Sequence, residues 1–227
     1  MKHSKLYTIL FMMTLSVLFG AGIAGLSIVS QPVIERNNRL LTQRAYVEVF
    51  GLGDVGKLSS DEVAALIDSR VEVGDTPIVD PETGTEFTIL KAYDESRRVT
   101  AVAFNFRGLG FWAPIKGWLA VTPDRSRTVG LVITEQKETP GLGGRVEEPI
   151  FTDPFKASVL VKAPGDEGGK YIIISSSKPS AGTEKAERHV EAITGATQTC
   201  MAMDTILNDA LRAFNRAWNA DTARAAN

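Results

Sequence analysis

The chain has 227 residues, a formal net charge of -2 at pH 7, and 44% hydrophobic and 23% charged residues. That length suits one domain with a sizeable core, or one domain and an anchor. The charge balance, with no basic run interleaved with aromatics, argues against a nucleic-acid partner. A single cysteine, Cys200, and two distant histidines, His3 and His189, exclude an internal disulfide and a zinc cluster and give no reason to expect a metal centre.

Residues 6–29 carry no charge. Roughly 24 residues at a helical rise of 1.5 Å are enough to cross a bilayer. Lys2 and Lys5 precede the run, and Glu35 and Arg36 follow it. The positive-inside rule then puts a tail, 1–5, in the cytoplasm and everything after the anchor outside. A cleaved secretory signal is the alternative, since small residues cluster around 21–25. The apolar run is longer than the usual signal core of about 7–15 residues, so an uncleaved anchor is expected.

Beyond the anchor, Leu40, Leu41, Val47 and Phe50 recur among charges, so 33–50 reads as a helix continuing from the membrane. Gly51, Gly53 and Gly56 end it. Ser59-Ser60-Asp61-Glu62 opens a short helix that runs to about Ser69. Strands are expected at 87–92, 99–104, 116–121, 129–134 and 171–175, each bounded by Gly, Pro, Asp or Ser. Asp153-Pro154 reads as a helix start, with Asp as cap and Pro in the first turn. Met203, Leu207, Leu211, Phe214 and Trp218 fall three or four apart, which makes 198–218 the clearest helix. The fold expected is α+β: a single N-terminal transmembrane helix (6–29), a stalk and N-terminal part of the exported domain (30–95), and a ligand-binding domain (96–218) with a mainly antiparallel sheet and flanking helices. A frayed tail (219–227) follows.

Three segments carry chemistry. Just ahead of the last helix stands Glu191-Ala192-Ile193-Thr194-Gly195-Ala196-Thr197. Its small residues let a ligand approach the backbone, and a helix start favours an anion. Thr194 and Thr197 are equally good helix caps. Glu138-Thr139-Pro140-Gly141-Leu142-Gly143-Gly144 combines a Pro-Gly turn with glycines that permit positive φ, so it is either a plain turn or a loop laid against a flat ring. In 108–118, Phe111, Trp112 and Trp118 alternate with glycines, which reads as a core edge or as cover for a ligand. Cys200 is either a redox thiol or, as single thiols on apolar helix faces usually are, a packing residue.

The string TGAT at 194–197 resembles the flavinylation motif of the FMN-binding domain family, with Glu191 at the acidic position. The string ETPGLGG at 138–144 resembles the loop that precedes the flavin site in that family, and 108–118 is similar to the glycine–aromatic stretch of its quinone-reductase members. The resemblance implies FMN joined covalently through a phosphodiester to Thr197 by a dedicated flavin transferase. It implies that Thr194, Gly195, Ala196, Glu138, Thr139, Gly141 and Leu142 line the cofactor site. It further implies an electron-transfer component, of the C type, of an ion-translocating NADH:quinone reductase in a bacterial inner membrane, with the domain periplasmic and other membrane subunits as partners. The G-type component of the homologous Rnf complex is the alternative. A membrane-anchored binding or assembly module without covalent flavin is the alternative of another class. No independent catalytic residue is expected, because the flavin carries the redox chemistry.

Overall fold

A computed structural model describes residues 5–156, 159–163 and 169–225. The expectations for Lys2, His3 and residues 226–227 fall outside them. The chain forms two compact units, Met1–Thr42 and Gln43–Asn227.

The first helix, α1, is continuous over Lys5–Val49 and passes through Pro32; the anchor and the helix expected at 33–50 are one element. Its N-terminal part is long and apolar enough to cross a membrane. Leu10, Phe11, Leu18, Phe19, Ile23, Leu26 and Ile28 are all exposed within the chain. Burying such side chains is worth about 1.5–3 kcal/mol each, so their exposure within the chain fits a membrane anchor.

The second unit opens with the last turns of α1. Gly51, at φ 63°, ends the helix, and its N–H donates to the Glu48 carbonyl at 2.9 Å. Next comes α2, Ser60–Arg70, whose start is a complete capping box between Ser59 and Glu62. The strands β1 (Val71–Val73), β2 (Ile78–Val79), β3 (Glu86–Phe87), β4 (Ile89–Tyr93), β5 (Val99–Leu109), β6 (Pro114–Val121) and β7 (Thr128–Glu135) follow. A five-stranded antiparallel sheet runs in the order β1-β4-β5-β6-β7, and β2 and β3 form a separate hairpin. The strand expected at 87–92 is therefore two strands in different sheets. The break is at Thr88, whose N–H donates to the Asn105 side-chain oxygen at 2.7 Å instead of to a ladder carbonyl.

A 3-10 helix, Gly143–Glu147, leads into α3, Pro149–Lys156. The helix expected to open at Asp153-Pro154 opens at Pro149 instead. The Glu148 carbonyl accepts from the amides of Phe151 and Thr152, which puts Pro149 in the first-turn position where a missing N–H costs nothing. After β8 (Ile173–Ser175), α4 (Glu184–Glu187) and β9 (His189–Glu191) comes α5, Thr197–Ala225. The strand expected at 171–175 loses its first two residues, because the amides of Tyr171 and Ile172 both donate to Asn208 Oδ1 on α5. What remains, β8, pairs in parallel with β9. Helical conformation continues past Trp218 to Ala225.

The central sheet is buried on both faces. On one face α5 and α3 cover Phe104, Phe106, Ile115, Leu119 and Leu131, with Met203, Leu207, Leu211 and Phe214 from α5, the periodicity read from the sequence. Phe104 and Phe214 stack at 4.0 Å. On the other face Ala45, Val49 and Phe50, at the end of α1, cover Leu90, Ala103, Ala120 and Val132. Gly130 makes that approach possible, since a Cβ there would lie 2.3 Å from the Val49 carbonyl oxygen.

Candidate functional site: a cleft at the start of the last helix

The glycine–aromatic stretch is a hairpin. β5 and β6 pair out to Leu109 and Pro114, and the Gly110 N–H donates to the Ala113 carbonyl at 2.9 Å to close the turn. The turn holds Phe111 and Trp112 out of the core: they are 51% and 66% exposed and pack on each other with centroids 4.8 Å apart. The core-edge reading therefore fails for these two rings, while Ile115 and Leu119 beyond them are buried.

The segment 138–144 is a compact turn. The Thr139 carbonyl accepts from both Leu142 and Gly144 amides, at 3.1 and 3.0 Å. Gly141 has φ 74° with open space where a Cβ would lie, whereas Gly143 and Gly144 are buried at the start of the 3-10 helix. Only the first of the three is a conformational glycine. Gly143 is a packing glycine: a Cβ on it would meet Thr199 Oγ1 at 2.3 Å and Glu138 Cβ at 3.0 Å.

The third segment supplies the helix start. The Ala196 N–H donates to the Ile193 carbonyl at 3.1 Å, and Gly195 turns the chain at φ 83°. Thr197 is the first residue of α5 and is exposed, while Thr199, two residues on, is buried. The first intrahelical bond, Cys200 N–H to the Ala196 carbonyl, spans this turn. The amides ahead of it are those a helix cannot satisfy itself, and no acid lies in the first turn of α5 to occupy its positive end.

These three segments meet in one cleft of about 250 Å³, lined by Phe111, Trp112, Glu138, Thr139, Leu142 and Gly143 on one side and by residues 195–199 on the other. Of the residues expected from sequence, Thr197, Gly195, Ala196, Glu138, Thr139 and Leu142 line it. Thr194 and Gly141 lie in the same loops but not on its wall. Phe111, Trp112, Gly143, Gln198 and Thr199 line it as well. The two aromatics and Gly143 stand in the motif strings, but nothing in the strings marks Thr199. Leu142 reaches across the cleft to within 3.2 Å of where a Gly195 Cβ would be. Cys200 does not open onto the cleft. It is 2% exposed, its sulfur accepts from the Ile193 amide at 3.2 Å, and burial pushes its thiol pKa up, which makes it a packing residue.

Residues 110–212 match the FMN-binding domain family. Over 91% of both chains the sequence is 25% identical to the C subunit of the Na(+)-translocating NADH-quinone reductase of Pseudomonas aeruginosa. It is 32% identical to the corresponding protein of Pasteurella multocida over 47% of this chain and 38% of that one. Among solved structures, NqrC of Shewanella oneidensis superposes with a TM-score of 0.64 at 20% identity, covering 83% of this chain and 99% of that one. The C subunit of the Na(+)-translocating NADH-quinone reductase from Parabacteroides distasonis gives 0.63 at 22% identity, over 81% and 94%; both likenesses are of fold. The cleft thus lies wholly within a segment that matches the FMN-binding domain family, in a chain similar over most of its length to the C subunit of sodium-translocating NADH-quinone reductases.

Proposed function

We propose that this chain is the FMN-carrying electron-transfer subunit of an ion-translocating NADH:quinone reductase, with FMN linked as a phosphodiester to Thr197 Oγ1. The observation that carries the proposal is that an exposed threonine hydroxyl opens α5 inside a cleft walled by two exposed aromatic rings and Leu142. These features fit FMN at both ends of the molecule. The free amides and the dipole at the start of α5 take a phosphate charge, and Phe111, Trp112 and Leu142 offer apolar cover to a planar ring. Gly195 keeps a side chain out of the narrow gap to Leu142. FMN, when bound, supplies one- and two-electron transfer. The chain's part is to tether it, orient it and set its surroundings.

A cleft of about 250 Å³ is smaller than the roughly 300–1,000 Å³ of sites that enclose a drug-sized ligand. That suits a carrier, whose cofactor has to be reached from outside by neighbouring subunits. A covalent tether keeps the cofactor at high effective concentration, which matters on the extracytoplasmic side, where we place this domain. α1 anchors it, the other subunits of the complex are its electron donors and acceptors, and a flavin transferase makes the bond.

The test is direct. The protein, purified from a host that has the transferase and then denatured, should fluoresce as a flavin in a gel, and the peptide containing Thr197 should carry the added mass of FMN. Thr197→Val should abolish both and leave the fold intact, because Thr197 is exposed in the first turn of α5, where a surface substitution changes stability by about 0.5 kcal/mol. The same change at Thr194 or Thr199 should leave flavin attached at Thr197. FMN mass on the Thr197→Val protein would overturn the assignment.

A further inference from the structure

Glu138 lines the cleft, and its carboxylate is held between two of the cleft's walls. The residue is 5% exposed. Its Oε2 accepts from the Thr199 hydroxyl at 2.7 Å, and its Oε1 accepts from the Trp112 amide at 3.0 Å. Its own N–H donates to Gln136 Oε1 at 2.7 Å. One carboxylate thus joins the aromatic hairpin turn, the glycine loop and the first turn of α5. Two glycines make room for it. A Cβ on Gly110 would lie 2.6 Å from Glu138 Oε1, and one on Gly143 would lie 3.1 Å from Oε2 and 2.3 Å from the Thr199 hydroxyl.

We infer that Glu138 is a positioning residue: it locks the turn bearing Phe111 and Trp112, and the loop bearing Leu142, onto the start of α5, and so holds the walls of the cleft in register with Thr197. This rests on the cleft being the flavin site, as proposed above. Both contacts are charge-assisted, which makes them stronger than neutral hydrogen bonds; the one to Thr199 is buried and the one to Trp112 partly so. Loss of the carboxylate frees the hairpin turn without touching the attachment hydroxyl. The effect is therefore on the setting of the flavin and not on its attachment.

The experiment uses the full-length protein in detergent and has two arms. In a Thr197→Val background, which lacks the attachment hydroxyl, amide hydrogen exchange is followed at Trp112 and along the central strands. Glu138→Ala should speed exchange at the Trp112 amide by about tenfold, with little change in the strands. Glu138→Gln should keep its protection to within about twofold, because the side-chain carbonyl accepts from Trp112 while its NH2 donates to the Thr199 oxygen. In the second arm, with Thr197 intact, Glu138→Ala should retain covalent flavin but lose visible circular dichroism from it, and Glu138→Gln should restore that signal. Unchanged exchange at Trp112, or a uniform rise across the strands, would overturn the positioning role, as would a Gln variant that behaves like Ala or a flavin signal that does not respond. If the wild-type protein carries no covalent flavin, the function proposed above fails while the first arm still decides whether Glu138 holds the hairpin.

Discussion

Glycine codes for two different things in this cleft, and the sequence does not distinguish them. In the run 141–144 every glycine reads as licence for positive φ, yet only Gly141 uses it. Gly143 is there because Thr199 and Glu138 occupy the space a side chain would need. The two roles predict different outcomes. Gly141→Ala adds a methyl group to open space and costs only backbone strain, of about 1 kcal/mol, so the cleft should keep its shape. Gly143→Ala drives a methyl into the Glu138–Thr199 contact and should cost about 1–3 kcal/mol as overpacking, with an altered flavin spectrum. Urea unfolding and absorbance of the two variants check this; equal effects on the spectrum would mean that Gly143 has no packing role. The TGAT and ETPGLGG strings point to the right loops because their turn chemistry is local. Thr199 is not legible, since its partner Glu138 is 61 residues away in sequence.

Elements whose partners are local can be read from the chain, and those set by distant contacts cannot. The capping box of α2 and the apolar face of α5 follow from spacing alone. The β2–β3 hairpin does not, because what pins it is an ion pair across 136 residues. Asp80 is fully buried and accepts from Arg216 on α5 at 2.9 and 2.6 Å and from the Thr83 hydroxyl at 2.6 Å. The Arg216 guanidinium, with the Thr83 hydroxyl, holds the Asp80 carboxyl far below its ordinary pKa. A depressed folded-state pKa means that the stabilisation is complete above the unfolded value of about 3.9. It is lost as pH falls from there towards the folded value. Stability attributable to this pair should therefore be flat from neutrality down to about pH 5 and decline below about pH 4. Asp80→Asn should cost about 3 kcal/mol, since it leaves Arg216 with an imperfect partner, and should flatten the acid limb of a melting-temperature profile. An acid limb as steep as that of the parent would show that other carboxylates control it.

At the scale of the molecule, the apolar anchor at one end and the amphipathic last helix at the other are legible from hydropathy and apolar period, because both are written into consecutive residues. Membrane sidedness is a separate expectation: a reporter active only in the periplasm, fused after Asn227, should be active, and protection of the domain from protease added to spheroplasts would reverse it. How far into α1 the folded domain reaches is not legible, since one uninterrupted helix spans Lys5–Val49 and carries two different kinds of apolar residue. Large apolar side chains up to Val29 are exposed within the chain, whereas Ala45, Val47 and Val49 are buried. Ala45, Val49 and Phe50 close the sheet face formed by Leu90, Ala103, Ala120 and Val132, and the Arg44 guanidinium donates to the Val55 carbonyl at 2.9 Å. The boundary between the two compact units, at Thr42/Gln43, follows this change of role. A protein beginning at Gln43 should therefore be soluble and melt cooperatively without detergent, because it sheds the bilayer-type surface and keeps the sheet covered. One beginning at Gly51 or later loses Ala45, Val47, Val49 and Phe50 together. Each deleted apolar core side chain of this kind costs on the order of 1–3 kcal/mol, which exhausts much of the roughly 5–15 kcal/mol available to a typical domain. It should aggregate or melt at least about 10 °C lower. Scanning calorimetry and size-exclusion chromatography of the two truncations decide the matter. Equal stability would mean that the end of α1 only leans on the sheet and that the folded domain begins after Gly51.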